Sequence, residues 1–168
     1  SGLDIADLDD ALIGLDPEQT IVIVCSKTFN TFETLSTARR TQNWFLEGGV
    51  SNFSSQMFAA TSVPENALAF GIEAENIFSF SSSIGGRFSL ASPVSLGLML
   101  SIGYENFDDM LQGMHLIDTD VLANDKSVPL LLGLIDVWNR SVLGANSLAV
   151  VPYSYRLREF SSYLQQLM

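Results

Sequence analysis

Lys27 stands in a run of hydroxyl side chains, Ser26, Thr28 and Thr31, directly after the apolar stretch 21–25 and directly before a helix-like segment. These residue types in that order can hold an anion. A helix start presents backbone N–H groups without intrahelical partners and the positive end of its dipole. The hydroxyls add donors, and Lys27 adds a positive charge. Further along, Gly85-Gly86-Arg87 follows a second apolar, aromatic stretch. Paired glycines let the backbone approach a ligand and present N–H groups with no side chain in the way. Arg87 would bring a planar cation into the same space. The same residues also fit a tight turn and a surface ion pair, and composition alone favours that plainer reading because short glycine motifs recur by chance.

The elements that must position these loops are legible in the apolar pattern. Ile5, Leu8, Leu12 and Leu15 recur at helical spacing and predict a first amphipathic helix stopped by Gly14 and Pro17. The β-branched run from Ile21 to Val24, closing at Cys25, predicts a strand covered on both faces in a parallel sheet. A helix follows over 32–46, with Asn30 and Glu33 at capping-box spacing if Asn30 is the cap. A second strand is predicted over 56–63, a short helix over 65–72 begun by Pro64, and a third strand over 76–80. Alternating strand and helix points to an α/β fold, a parallel sheet flanked by helices. In such a sheet ligands bind beyond the carboxyl ends of the strands. Both candidate loops leave such ends, so the two would face one crevice. Beyond them come helices over 93–104, 107–121 and 128–143, then a strand-like run over 148–151 and a helix over 155–168. That ending reads as the opening β–α unit of a second α/β domain.

The bulk properties bound the function. The chain has 168 residues, room for one domain with a core or for one domain and part of another. Hydrophobic residues make up 47% and charged ones 16%, a globular balance. A net charge of −11 argues against a nucleic-acid partner, which needs a basic stripe, and makes each of the eight Lys and Arg residues a scarce resource for any anionic ligand. The apolar runs over 93–103 and 128–135 are too short to span a bilayer, so they read as buried helices and no membrane partner is expected. No basic segment followed by an apolar one opens the chain as a secretory leader would. The single cysteine, Cys25, excludes an internal disulfide and fits a reducing, cytoplasmic compartment; at a strand end it reads as a small core thiol rather than a nucleophile. The start at Ser1 and the close inside a helical pattern suggest a piece of a longer protein. His115, the sole histidine, reads as structural or surface. Asp108, Asp109, Asp118 and Asp120 read as a solvated helix face rather than metal ligands, so no metal or other cofactor is expected. Phe78, Phe80 and Phe88 read as core.

Ser26-Lys27-Thr28-Phe29-Asn30-Thr31-Phe32-Glu33-Thr34 resembles a segment of the glucose-6-phosphate isomerase family, S-K-T-F-x-T-x-E-T, and Ile84-Gly85-Gly86-Arg87-Phe88-Ser89 is similar to that family's G-G-R-[FY]-S signature. Further matches follow in the same order: Phe70-Gly71-Ile72, Glu75-Asn76-Ile77-Phe78, Asn106-Phe107, Leu111 with Gly113, Val128-Pro129-Leu130-Leu131, Pro152-Tyr153 and Tyr163-Leu164-Gln165-Gln166. The resemblance implies two sugar-isomerase domains, each a flavodoxin-like three-layer sandwich. Residues 1–92 would be most of the first, 93–144 its helical continuation, and 145–168 the first β–α unit of the second. It implies reversible isomerisation of glucose 6-phosphate and fructose 6-phosphate through a cis-enediol, without a cofactor, in a cytoplasmic homodimer.

By the same resemblance Ser26, Thr28 and Thr31 would hold the sugar phosphate, with Lys27 at the same loop. Gly86 and Arg87 would sit by the reacting C1–C2 end, where Arg87 would stabilise the charge of the intermediate, and Gln166 would line the substrate pocket. The chain departs from the family pattern at Ser81, Ser82 and Ser83, where tryptophans and an aspartate are usual, and at Ala91, where a tryptophan is usual. The family's glycine-rich phosphate turn is expected before Ser1 and its glutamate base just after Met168, with the ring-opening histidine and a late lysine further on. These 168 residues alone are therefore expected to be inactive. Two other readings stay open: a non-catalytic sugar-phosphate-binding module, and a related isomerase that also accepts mannose 6-phosphate.

Overall fold

A computed structural model describes residues 6–168. Three short strands, β1 (Val22–Cys25), β2 (Met57–Thr61) and β3 (Ile77–Ser79), form one sheet in the order β1-β2-β3, and both pairings are parallel. Parallel neighbours need a crossover, and helices supply both: α2 (Phe32–Glu47) joins β1 to β2, and α3 (Pro64–Phe70) joins β2 to β3. A short helix α1 (Ala6–Leu12) precedes the sheet; Ile5 of its predicted stripe lies outside the described residues. The three strands and the two crossover helices match the predicted elements with ends shifted by one or two residues. Gly14 and Gly71, both at positive φ, close α1 and α3, and Pro64 opens α3 where its missing N–H leaves no helical bond unmade.

Burial is concentrated on the central strand. Met57, Ala59, Ala60 and Thr61 of β2 are all buried, and with Val24, Phe29, Ala38, Phe45, Ala67 and Ile72 they fill the space between sheet and helices. Helix α2 turns Ala38, Thr41 and Phe45 inward at helical spacing, and Phe45 stacks on Phe53 with ring centroids 5.8 Å apart.

Several expectations are corrected. In β1 only Val24 is buried and Cys25 is exposed, as is Ile21 just before the strand; among the described residues β1 is an outer strand with one neighbour. Phe78 and Phe88 are exposed rather than core; Phe78 stacks on Phe58 at 6.4 Å along the sheet surface. The cap of α2 is Thr31, not Asn30. The Asn30 carboxamide instead accepts a hydrogen bond from the Thr28 hydroxyl, a local alternative open to Asn in turns.

The described residues divide into two compact units, the first ending at Ser101 and the second spanning Ile102–Met168. The first closes with 3-10 turns at Gly86–Ala91 and Pro93–Ser95 that lead into α4 (Leu96–Ile102). The second holds α5 (Tyr104–Ala123), α6 (Val128–Ser141) and α7 (Phe160–Leu167), with α5 packed on α6. Neither α4 nor α6 has a buried residue, against the expectation of buried helices. Leu131, Leu134, Ile135 and Trp138 of α6 are exposed, since an apolar helix is buried only where another element covers it. Residues 148–151 form no ladder; a strand requires a hydrogen-bonded neighbour, and none pairs with them among the described residues.

Phe45 is fully buried and stacked on its neighbour, so Phe45→Ala in the full-length protein should lower stability by about 3–5 kcal/mol in urea unfolding. A loss under about 1 kcal/mol would show that this ring does not anchor the core.

Candidate functional site

All three strands run the same way, so their carboxyl ends share one edge of the sheet. The 26–31 loop leaves β1 at that edge and the segment carrying Gly85-Gly86-Arg87 follows β3, with the end of β2 between them. Thr61, the last residue of β2, ties the two exits together. Its hydroxyl donates to the Lys27 carbonyl (3.0 Å), and its own carbonyl accepts the Phe80 N–H (3.1 Å). Lys27 O also accepts from the Ser62 N–H (2.8 Å) and the Ser62 hydroxyl (2.7 Å). The Asn66 side chain on α3 donates to the Thr28 carbonyl at 2.8 Å.

The turn itself is strained. Phe29 has φ +49°, the left-handed region that a bulky side chain avoids, at a cost of about 1–3 kcal/mol. The burial of its ring offsets this. Phe29 is 2% exposed and meets Phe70 edge-on at 5.7 Å, and the Arg39 guanidinium lies 5.6 Å over the far ring.

On its outer side the loop has unused donors. Among the described residues, the N–H groups of Lys27 through Thr31 donate no hydrogen bond, and Thr31 caps α2 without a side-chain bond to it. A sixteen-residue helix thus begins with open N–H groups beside a lysine that has no carboxylate within salt-bridge distance among the described residues. Ser26 differs from its neighbours. It is buried, its N–H pairs with the Ala60 carbonyl at 3.1 Å, and its Oγ has no partner among the described residues. Such an orphaned hydroxyl costs about 1–3 kcal/mol.

Gly86 and Arg87 open the 3-10 turn after β3 and are exposed. A Cβ at Gly86 would meet no atom within 4 Å, and Gly86 is not at positive φ, so the fold itself does not require glycine there. Gly85 is tighter, with the Phe88 ring 3.3 Å from where its Cβ would stand. Arg87 forms no ion pair among the described residues; its guanidinium lies 6.0 Å from the exposed Phe88 ring. Gln166 is exposed on α7 of the second unit.

Cys25 is not the core thiol expected. It is exposed, its Sγ contacts the Val94 carbonyl at 3.6 Å, and partial desolvation raises the thiol pKa above its ordinary value, which disfavours the nucleophilic thiolate. His115 is an exposed residue of α5, and no cluster of three metal-ligating side chains occurs among the described residues. No described helix is long and apolar enough to cross a membrane. Sequence reasoning missed Thr61, Ser62 and Asn66. The Thr61-Ser62 pair carried the same signal as Ser26, hydroxyls at a strand exit, whereas Asn66 carried none.

A parallel sheet wrapped by helices, with open helix N–H groups and an arginine unpaired among the described residues on the loops that leave its strands, is an α/β domain of the kind that takes ligands beyond its strand ends. The sequence pattern of the phosphoglucose isomerase family matches residues 1–168. Glucose-6-phosphate isomerase 2 of Streptomyces coelicolor is 44% identical over 99% of this chain and 31% of its own length. The glucose-6-phosphate isomerase of Ralstonia nicotianae is 43% identical over 99% of this chain and 32% of its own length. The crystal structure of a glucose-6-phosphate isomerase from Chlamydia trachomatis superposes with a TM-score of 0.87 at 34% identity, covering 99% of this chain and 32% of that one. A hypothetical protein of Thermus thermophilus gives a TM-score of 0.79 at 27% identity, with 99% and 40% covered. The chain belongs to the phosphoglucose isomerase family. It spans about a third of the length of these curated relatives.

Because the fold makes no demand for glycine at Gly86, Gly86→Ala should change stability by less than about 0.5 kcal/mol. Gly71→Ala, at φ +106°, should lose more than about 1 kcal/mol. Equal losses in urea unfolding of the full-length variants would place Gly86 in service of the fold.

Proposed function

We propose that this chain carries the phosphate grip and the charge-stabilising arginine of a glucose-6-phosphate isomerase, which interconverts glucose 6-phosphate and fructose 6-phosphate. One observation carries the reading: the open N–H groups of the 26–31 loop and Arg87, unpaired among the described residues, follow the two strands that flank β2 to the same sheet edge, in a chain of net charge −11. An acidic chain that leaves cations unpaired at one edge is arranged for an anionic ligand.

The sugar phosphate dianion would take the N–H groups at the start of α2, the Thr31 hydroxyl, the Lys27 ammonium and the Thr28 hydroxyl, which would exchange its Asn30 partner for the ligand. Ser26 Oγ, buried and without a partner among the described residues, would be a further donor if the ligand reached it. Isomerisation moves a proton between C2 and C1 and leaves negative charge on the enediol oxygens in transit. A guanidinium already free of other partners stabilises that charge without first breaking an ion pair. Gly86, with no Cβ, lets the reacting end of the sugar approach the backbone. Gln166 would line the substrate pocket, and the base that moves the proton is placed outside residues 1–168, so these residues alone would not turn over substrate. Residues 1–92 and 93–144 would belong to the first sugar-isomerase domain and 145–168 to the second, in a cytoplasmic homodimer that uses no cofactor.

The test is turnover by the full-length parent in a coupled assay; absence of glucose 6-phosphate/fructose 6-phosphate interconversion would refute the reading. Arg87→Ala should lower kcat by about 100-fold or more while raising KM far less. Thr28→Ala should raise KM by about tenfold with kcat little changed. A Thr28→Ala effect confined to kcat would contradict its place in the phosphate grip.

A further inference from the structure

Resting on the phosphate-grip reading above, we propose that Asn66 and Ser62, with Thr61, are positioning residues that hold the phosphate turn from behind and aim its N–H groups at the ligand. The carbonyls of Lys27 and Thr28 are turned toward the end of β2 and the start of α3, where the Thr61 hydroxyl (3.0 Å), the Ser62 N–H (2.8 Å), the Ser62 hydroxyl (2.7 Å) and the Asn66 amide (2.8 Å) take them up. Every peptide bond described is trans. In a trans peptide the carbonyl of one residue and the N–H of the next point in opposite directions. Capturing Lys27 O therefore turns the Thr28 N–H away from β2, and capturing Thr28 O turns the Phe29 N–H away from α3. Both N–H groups are without partners among the described residues. Phe29 at φ +49° continues the turn in the left-handed conformation that brings successive N–H groups into one concave, anion-binding nest.

The donors behind the loop are not interchangeable. Lys27 O has three donors, so losing one leaves two. Among the described residues Thr28 O has a single donor, the Asn66 amide. Removing that amide frees the Thr28–Phe29 peptide to rotate, and the nest loses a donor aimed at the dianion. Asn66 itself touches no substrate in this account; it acts through the loop.

The experiment measures sugar-phosphate turnover by the full-length protein, with inorganic phosphate as a competitive inhibitor. In Asn66→Leu, similar in size but without donors, KM and the phosphate inhibition constant should rise together by about tenfold, with kcat within about threefold of wild type. Ser62→Ala should show the same pattern at about threefold, and Ser62→Thr, which keeps the hydroxyl, should restore wild-type values. A purely structural role would lower the active fraction and kcat and leave phosphate affinity unmoved. Phosphate inhibition within about twofold of wild type in active Asn66→Leu and Ser62→Ala overturns the positioning role and leaves the grip intact. A wild-type enzyme that turns over sugar phosphate yet shows no phosphate inhibition overturns the grip reading, and the positioning role with it.

Discussion

The structure around the site depends on one crowded acceptor, the backbone carbonyl of Lys27. Three donors from Thr61 and Ser62 converge on it, and they fix where β1 stops and the anion-ready turn begins. Thr61 is fully buried, so the anchor sits in the core rather than on a mobile surface. The same residue holds the exit of β3 through its own carbonyl. One threonine at the end of the central strand thus sets the starting points of both loops that carry the candidate chemistry. The strain at Phe29 is tolerable for the same reason: the backbone is pinned on one side and the ring is buried on the other.

Charge distribution adds a second constraint. The ion pairs described use Arg40, which reaches both Asp9 and Glu47, and Arg158, which meets Glu159. They are partly or largely exposed pairs, worth little to stability. Lys27 and Arg87 take no part in them, although acidic residues outnumber basic ones by 19 to 8. Leaving these two cations unpaired among the described residues forgoes only a small local gain.

The helices beyond the sheet show the converse situation. The α4 and α6 surfaces expose leucine, isoleucine and tryptophan side chains that would gain by cover, at about 25 cal/mol for each Å² of apolar area removed from water. The residues described do not provide that cover, and the chain spans about a third of the length of its relatives. The stability of the first unit rests instead on the β2 core, where every residue but Phe58 is buried.

Much of this protein was legible in the sequence. Local signals act over a few residues, so β-branched runs, helical spacing, Pro64 and Gly71 placed β1, β2, β3 and the helices between them to within one or two residues, whereas α7 starts at Phe160 rather than 155 and residues 148–151 form no strand. The residues of the two loops, Ser26, Lys27, Thr28, Thr31, Gly86 and Arg87, stood out by type and by their position after strands. What the sequence could not determine depends on partners distant along the chain. Whether Cys25 and Phe88 are covered, whether Arg87 finds a carboxylate, and whether Asn30 or Thr31 caps α2 are settled by which groups arrive nearby in space. The link from Asn66 to Thr28 is of the same kind. Nothing local distinguishes that asparagine; only the parallel stacking of β1 beside β2 sets the start of α3 behind the turn, where its amide meets a carbonyl in need of a donor.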